Sequence, residues 1–141
     1  KLIRMRFYMK IYNLFISHSW NYGSQYNNLT SLLNRRAFFS FKNYSVPESN
    51  PIIGARTDKQ LEEAIENKVR ASSVVVIMTG VYATYSKWIN KEIAIAKRFG
   101  KPILAVKPYG SRNMSTVVQN AADEICNWST ESVVAAIRRL A

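Results

Sequence analysis

The chain has 141 residues, of which 48% are hydrophobic, and its formal net charge is +11. This size and composition suffice to bury the core of one domain, which excludes a disordered tail. No stretch approaches the roughly 18 to 20 apolar residues of a membrane span, and the single cysteine, Cys126, excludes an intramolecular disulfide framework. We therefore expect a cytoplasmic protein with no membrane partner. We also expect residues 1–8 to be an N-terminal extension or remnant and residues 9–141 to form the domain.

The positive charge favours an anionic ligand, but its distribution argues against a specific nucleic-acid partner. A balance of +11 attracts polyanions, anionic lipid or a small phosphate-bearing molecule. The basic residues are scattered, with no run of five or more like charges. We expect weak, non-specific affinity for nucleic acid and no sequence-specific binding.

Strand and helix patterns alternate in the first half of the chain. Residues 12–17 predict a short strand and the aromatic run 38–41 predicts a second one. Between them, a helical stripe is formed by Tyr22, Tyr26, Leu29 and Leu33. Two prolines mark a loop at 45–51. Residues 57–60 resemble a capping box that opens a helix with Leu61, Ile65 and Val69 turned inward.

The second half continues the alternation. The β-branched run 73–78 is typical of a strand covered on both faces. A helix is predicted from about Ser86 to Phe99, ending at Gly100 with a proline beyond it. Residues 102–106 and 124–128 predict two further strands. Thr130 is predicted to cap a final helix, whose inward residues would be Val133, Ile137 and Leu140.

Five strands separated by helices predict an α/β fold with a parallel sheet covered on both faces. For this length we expect the flavodoxin-like strand order 2-1-3-4-5. Ligands of such folds bind beyond the carboxyl ends of the strands, near the point where the strand order reverses. In this chain those ends are followed by residues 17–20, 42–44 and 79–82.

Glu92 is the one carboxylate between Glu66 and Asp123, and it lies on the same predicted helix face as Trp88 and Ile95. Burial on this half-apolar stripe would raise the pKa of the carboxyl, while nearby cations would lower it. Opposing effects of burial and nearby charges on one pKa are typical of candidate catalytic acids. From helical spacing alone, the favoured interpretation is a structural one, in which a partly buried glutamate extends to solvent or pairs with a lysine or arginine.

Several functional classes are excluded by missing motifs. The chain has no Walker loop and no G-x-G-x-x-G, and it lacks the acidic cluster of a response regulator. One histidine and one cysteine argue against a zinc site, so we expect no metal. His18 has no aspartate near it in sequence and no marked nucleophile, so it does not indicate a catalytic triad.

Two boxes nevertheless resemble a known family. Residues 15–20, Phe-Ile-Ser-His-Ser-Trp, are similar to the opening box of TIR domains, and residues 88–92, Trp-Ile-Asn-Lys-Glu, are similar to their W-x-x-x-E. The proline-containing loop after the second strand corresponds to the family's BB loop. The resemblance spans the chain from Met9 to Leu140. It is strongest to the TIR-like subfamily of the ThsB type, from Thoeris anti-phage defence.

The resemblance implies a reaction at the N-glycosidic bond of NAD⁺, with NAD⁺ as substrate and Glu92 as the catalytic residue. It implies substrate-binding positions at Ser17, His18, Ser19, Lys42, Tyr82 and Trp88. Lys42, Arg35 or Arg36 would meet the pyrophosphate. TIR enzymes often complete their site by self-association, which we expect to involve the loop 45–56.

These implications predict a TIR-like enzyme of bacterial anti-phage defence that makes an ADP-ribose-derived nucleotide signal, for which a cyclic form is favoured. The signal would act on a separate effector protein. The alternative is an adaptor of the TIR type that signals by self-association without catalysis. A basic nucleic-acid-binding domain is a third possibility, supported by charge alone.

Overall fold

The computed structural model describes residues 10–17, 23–44, 58–78, 82–107 and 115–141. The strands are β1 (Ile11–Ile16), β2 (Ser40–Asn43), β3 (Val74–Met78), β4 (Ile103–Val106) and β5 (Glu124–Cys126). The helices are α1 (Gly23–Arg35), α2 (Asp58–Ala71), α3 (Tyr82–Arg98), α4 (Thr116–Ala121) and α5 (Thr130–Leu140).

The strands form one parallel sheet in the order β2-β1-β3-β4-β5. This confirms the predicted flavodoxin-like topology. The direction in which the chain adds strands reverses between β1 and β3, at the centre of the sheet. All five residues of β3 are buried, as expected for a central strand with helices on both faces.

The sheet separates two apolar cores because successive side chains of a strand point to opposite faces. Leu14 and Ile16 belong to the core that α1 and α5 cover. Phe15, between them, belongs to the core that α2, α3 and α4 cover. Ser17 has the same strand parity as Phe15, so its side chain points toward the second core.

The second strand begins two residues later than the sequence pattern predicted. Phe38 has a φ of 60°, and its side chain is 80% exposed. A left-handed residue cannot continue an extended strand, so pairing starts at Ser40. The carbonyl oxygen of Phe38 accepts a hydrogen bond of 2.8 Å from Arg138 Nη2, which ties this turn to α5.

The helix boundaries agree with the predicted elements except at three points. α3 begins at Tyr82, one turn earlier than predicted, and it ends before Gly100, whose φ of 66° suits the residue that terminates a helix. The cap of α5 is Ser129 and not Thr130, because the Ser129 hydroxyl accepts from the Ser132 amide at 3.1 Å. The short helix α4 was not predicted.

The inward-facing residues predicted for the helices are buried where the structure describes them. Ile65, Val69, Val133 and Ile137 are buried, and Leu140 is partly buried against the first core. Tyr22, Thr57, the Leu61 side chain, the loop 45–56 and residues 1–8 lie outside the described part of the chain. None of the described helices combines the length and the apolar character that a membrane span requires.

Candidate active site

Glu92 lies on the face of α3 that packs against the sheet. Ile89, Ile95 and Ala96 are buried on the same helix at spacings of three and four residues. The Glu92 side chain is 3% exposed. The carboxyl group is therefore part of the interior, and Glu92 is not a surface residue whose charge is solvated.

The Glu92 carboxylate meets the end of the central strand β1. The Ser17 hydroxyl donates a hydrogen bond of 2.6 Å to Glu92 Oε1, and both side chains are buried. Ser17 follows the last residue of β1, and its backbone N–H donates to Val76 O of β3 at 2.8 Å. This contact joins residues 75 positions apart in sequence.

The Ser17–Glu92 pair lies at the carboxyl edge of the sheet, between β1 and β3. This is the point where the strand order reverses. Doubly wound folds bind ligands beyond this edge, at the reversal point. The topology therefore predicts a ligand site at this point of the sheet. Glu92, the one carboxylate between Glu66 and Asp123, lies at the same point.

Burial dominates the electrostatics of the Glu92 carboxyl. It raises the pKa from 4.5 to about 7, and the hydrogen bond from Ser17 opposes it. The sequence pattern also predicted a lowering of the pKa by nearby cations. Among the described residues, Lys97 and Arg98 of α3 are exposed, and Arg98 Nη2 instead pairs with Glu66 Oε1 at 2.8 Å. For these two residues, the predicted lowering of the Glu92 pKa by cations is not seen.

Residues 15–113 match the family model described as Thoeris protein ThsB, TIR-like domain. The match covers well over half of the 141 residues. The chain belongs to this family. A comparison with curated proteins gave no match. The resemblance predicted from the two sequence boxes is therefore confirmed, and the parallel sheet agrees with the TIR-like fold.

The residues matched to the ThsB TIR-like family include Ser17 and Glu92. They also include the other positions that the resemblance implies for substrate binding. His18 and Ser19 lie outside the described residues. Tyr82 and Trp88 are in the first half of α3, but their side chains are likewise outside the described part. Their assignment to the substrate site stays a prediction.

Lys42 is exposed and lies in β2 opposite Asn13 of β1. Asn13 precedes Ser17 by four residues, which is about 13 Å along a strand. Lys42 is therefore on the same face as Ser17 but not beside it. The strand face between them is filled by the buried Phe15, and a contact of Lys42 with the pyrophosphate stays a prediction.

The two arginines considered for the pyrophosphate lie elsewhere in this TIR-like domain. Because β1 and β2 are parallel, α1 returns the chain from the carboxyl edge of the sheet to the amino edge. Arg35 ends α1, and Arg36 follows it. Arg36 Nη2 donates to Glu131 Oε1 of α5 at 3.1 Å. α1 covers the face of the sheet opposite to α3, which separates both arginines from the Ser17–Glu92 pair, so Lys42 is the better of the three candidates.

Cys126 ends β5 and packs in the first core. Burial, and secondarily the charge of Glu124, raises the pKa of its thiol to about 11. Cys126 is therefore a small buried residue of the core. Across the described residues, no group of three or more His, Cys, Asp or Glu side chains could hold a metal ion.

The pairing of Ser17 with Glu92 is the feature that the sequence interpretation missed. The TIR resemblance implies only that Ser17 is a substrate-binding residue. A usable signal was present, since Ser17 is a polar residue that directly follows an apolar strand and Glu92 is a carboxylate on an apolar helix face. Each signal marked one residue, and only the fold shows that the two meet.

Proposed function

We propose that this chain is a TIR-like enzyme that cleaves the nicotinamide–ribose bond of NAD⁺. The product would be an ADP-ribose-derived nucleotide signal, for which we favour a cyclic form, used in bacterial anti-phage defence. Membership of the Thoeris ThsB TIR-like family supports the setting. The observation that carries the chemical part is the buried Glu92 at the carboxyl edge of the sheet.

The reaction needs one well-placed carboxylate. The bond between ribose C1′ and the nicotinamide nitrogen breaks heterolytically, and its electron pair leaves with nicotinamide as a neutral molecule. Positive charge then develops on the ribose as an oxocarbenium-like centre, which a nearby carboxylate stabilises. A new bond to C1′ completes the reaction: water gives ADP-ribose and releases a proton, an acceptor gives a conjugate, and attack from within the same molecule gives a cyclic product. Because nicotinamide is already a good leaving group, no second carboxylic acid is required to protonate it.

The electrostatic state of Glu92 suits this task. A buried carboxylate without a compensating positive charge is disfavoured, and its raised pKa expresses that cost. A cationic nicotinamide ribosyl group would supply the missing charge and return the carboxyl to its ionised form. The same attraction strengthens as positive charge moves onto the ribose, so the site would bind the transition state more tightly than the bound substrate.

The rest of the site would come from the residues that the sequence boxes indicate. His18 and Ser19 follow Ser17 directly, and Tyr82 and Trp88 belong to the helix that carries Glu92. In this proposal they surround the nicotinamide and ribose, while Lys42 meets the pyrophosphate as a cation. Activation by self-association and a separate effector for the product belong to the same proposal.

The alternative is a TIR-type adaptor in which the Ser17–Glu92 hydrogen bond only fixes α3 against β1. The same hydrogen bond would then be present in a protein that catalyses no reaction. The two functions differ in one measurable respect, because only the enzyme releases nicotinamide from NAD⁺.

The test is to incubate concentrated protein with NAD⁺, alone and with extract from phage-infected cells, and to separate nicotinamide and ADP-ribose species by chromatography. Wild type is compared with Glu92→Gln and with Glu63→Gln, which changes an exposed glutamate of α2 in the same way. We expect product from wild type and Glu63→Gln and none from a folded Glu92→Gln. Product from Glu92→Gln at the wild-type rate would refute the catalytic assignment. Absence of product from wild type in both conditions would favour the adaptor.

A further inference from the structure

The Ser17 side chain contacts the Glu92 carboxylate, and it exposes almost no surface that a ligand could contact. Its side chain is 2% exposed, and its hydroxyl donates to Glu92 Oε1 at 2.6 Å. A hydroxyl has one proton to donate. While that proton is used on the carboxylate, Ser17 cannot donate a hydrogen bond to a ribose hydroxyl.

The serine end of this hydrogen bond is held by the two central strands. Ile16 pairs with Val76 in the β1–β3 register, and the next backbone N–H, that of Ser17, donates to Val76 O at 2.8 Å. Phe15 and Ile16 are fully buried immediately before it. The position of the serine oxygen is therefore set by the most buried part of the sheet.

The glutamate end is held by the packing of α3. Ile89 and Ala96 flank Glu92 at spacings of three and four residues, and both are buried in the second core. Because the backbone is fixed at both ends, the hydrogen bond selects one orientation of the Glu92 carboxylate before any ligand binds. A group that is oriented in advance loses little entropy when the reaction begins.

We propose that Ser17 is a positioning residue whose hydroxyl orients the Glu92 carboxylate and favours its ionised form inside the protein. This inference rests on the proposed function, in which the ionised carboxylate stabilises the ribosyl cation. It gives Ser17 a task distinct from the substrate contact implied by the TIR resemblance.

A shift in pH dependence follows from this role. A hydroxyl that donates to a carboxylate stabilises the charged form, and the Ser17 hydroxyl lowers the pKa of Glu92 against the effect of burial. Without the hydroxyl, the effect of burial on the pKa of Glu92 is no longer opposed by this hydrogen bond. The pKa of Glu92 should then rise above its wild-type value, so that less of the carboxyl is ionised at neutral pH.

The experiment compares wild type with Ser17→Ala and with Ser17→Thr, which keeps a hydroxyl. The matched control is Ser72→Ala, because Ser72 is also 2% exposed and its hydroxyl donates instead to Val69 O. Two quantities are measured between pH 5 and 9. One is the carboxyl carbon shift of Glu92 by NMR, which requires no turnover, and the other is the rate of nicotinamide release from NAD⁺.

We expect Ser17→Ala to move the Glu92 titration, and the acid limb of the rate profile, upward by about one pH unit or more, the usual size of a hydrogen bond to a charged group. The Ser72→Ala profile should overlie that of wild type, and Ser17→Thr should restore most of the shift. A Ser17→Ala protein whose Glu92 titrates at the wild-type pH would overturn the inference, even if its rate is lower. Failure of the proposed function looks different, because the NMR titration would still shift while no variant released nicotinamide.

Discussion

Replacing Glu92 by glutamine should make the folded protein more stable at pH 8, although it should remove the proposed activity. The carboxyl is buried, and burial raises its pKa from 4.5 to about 7. An ionised Glu92 is therefore a source of instability in the folded state. Glutamine has nearly the same shape, carries no charge, and its Oε1 can still accept the hydrogen bond from Ser17.

The size of the effect follows from the two pKa values. The interval from 4.5 to about 7, at about 1.4 kcal/mol per pKa unit, corresponds to about 3 kcal/mol. Between these values the folded state keeps the proton that the unfolded state has lost. The free energy of unfolding of wild type should therefore fall as the pH rises through this window, and the fall should be complete above pH 7.

The assay is urea denaturation monitored by circular dichroism, at steps of half a pH unit from pH 4 to pH 8. Wild type is compared with Glu92→Gln and, as a control, with Glu63→Gln on the exposed side of α2. The difference between wild type and Glu92→Gln should be near zero at pH 4 and grow to about 3 kcal/mol in favour of glutamine at pH 8. Glu63→Gln should follow wild type at every pH.

Two results would refute this reasoning. A Glu92→Gln protein that follows wild type at every pH would mean that the carboxyl carries no desolvation cost. A constant difference across the pH range would mean that the substitution acts through packing and not through ionisation. Either outcome would also weaken the electrostatic argument for a cationic substrate.

Three further predictions concern other parts of the chain. Gly100→Ala should cost about 1 kcal/mol in urea denaturation, because φ is 66° although nothing lies within 4 Å of an added Cβ; an unchanged midpoint would contradict this. Cys126 should react with a thiol reagent at pH 8 far more slowly in the folded protein than in urea, because it is buried and its thiol pKa is about 11; equal rates would refute this. NAD⁺ should raise the melting temperature at a salt concentration that removes duplex DNA, whose binding should be weak and salt-sensitive; tight, sequence-dependent DNA binding without a thermal shift from NAD⁺ would favour a nucleic-acid-binding function.

The fold could be predicted because its signals are local. The apolar run that became β3 has no alternation, which indicates a strand covered on both faces. Gly100 and the proline beyond it mark the end of α3 at one point in the sequence. Strand order then followed from the alternation of strands and helices, since crossover rules leave few arrangements for five parallel strands.

The details that could not be predicted depend on contacts between distant segments. Phe38 is an aromatic residue of the type that favours strands, yet the chain turns there. Its carbonyl oxygen accepts a hydrogen bond from Arg138, which is 100 residues away in sequence. Ser17 and Glu92 are likewise 75 residues apart. Helical spacing predicted the apolar face on which Glu92 lies, but it contains no information about which group of the sheet the carboxylate would meet.

In the part of the chain that the structure describes, β2 and β5 are the edge strands of the sheet, and they limit how copies of this domain could assemble. β2 has four residues and carries Lys42, while β5 has three and carries Glu124, whose carboxylate pairs with Arg139. Short edge strands with charged residues are poor templates for adding a further strand. A continuous intermolecular sheet is therefore disfavoured at both edges. In the proposed self-association, the contacts between copies should therefore involve surfaces other than these two strand edges.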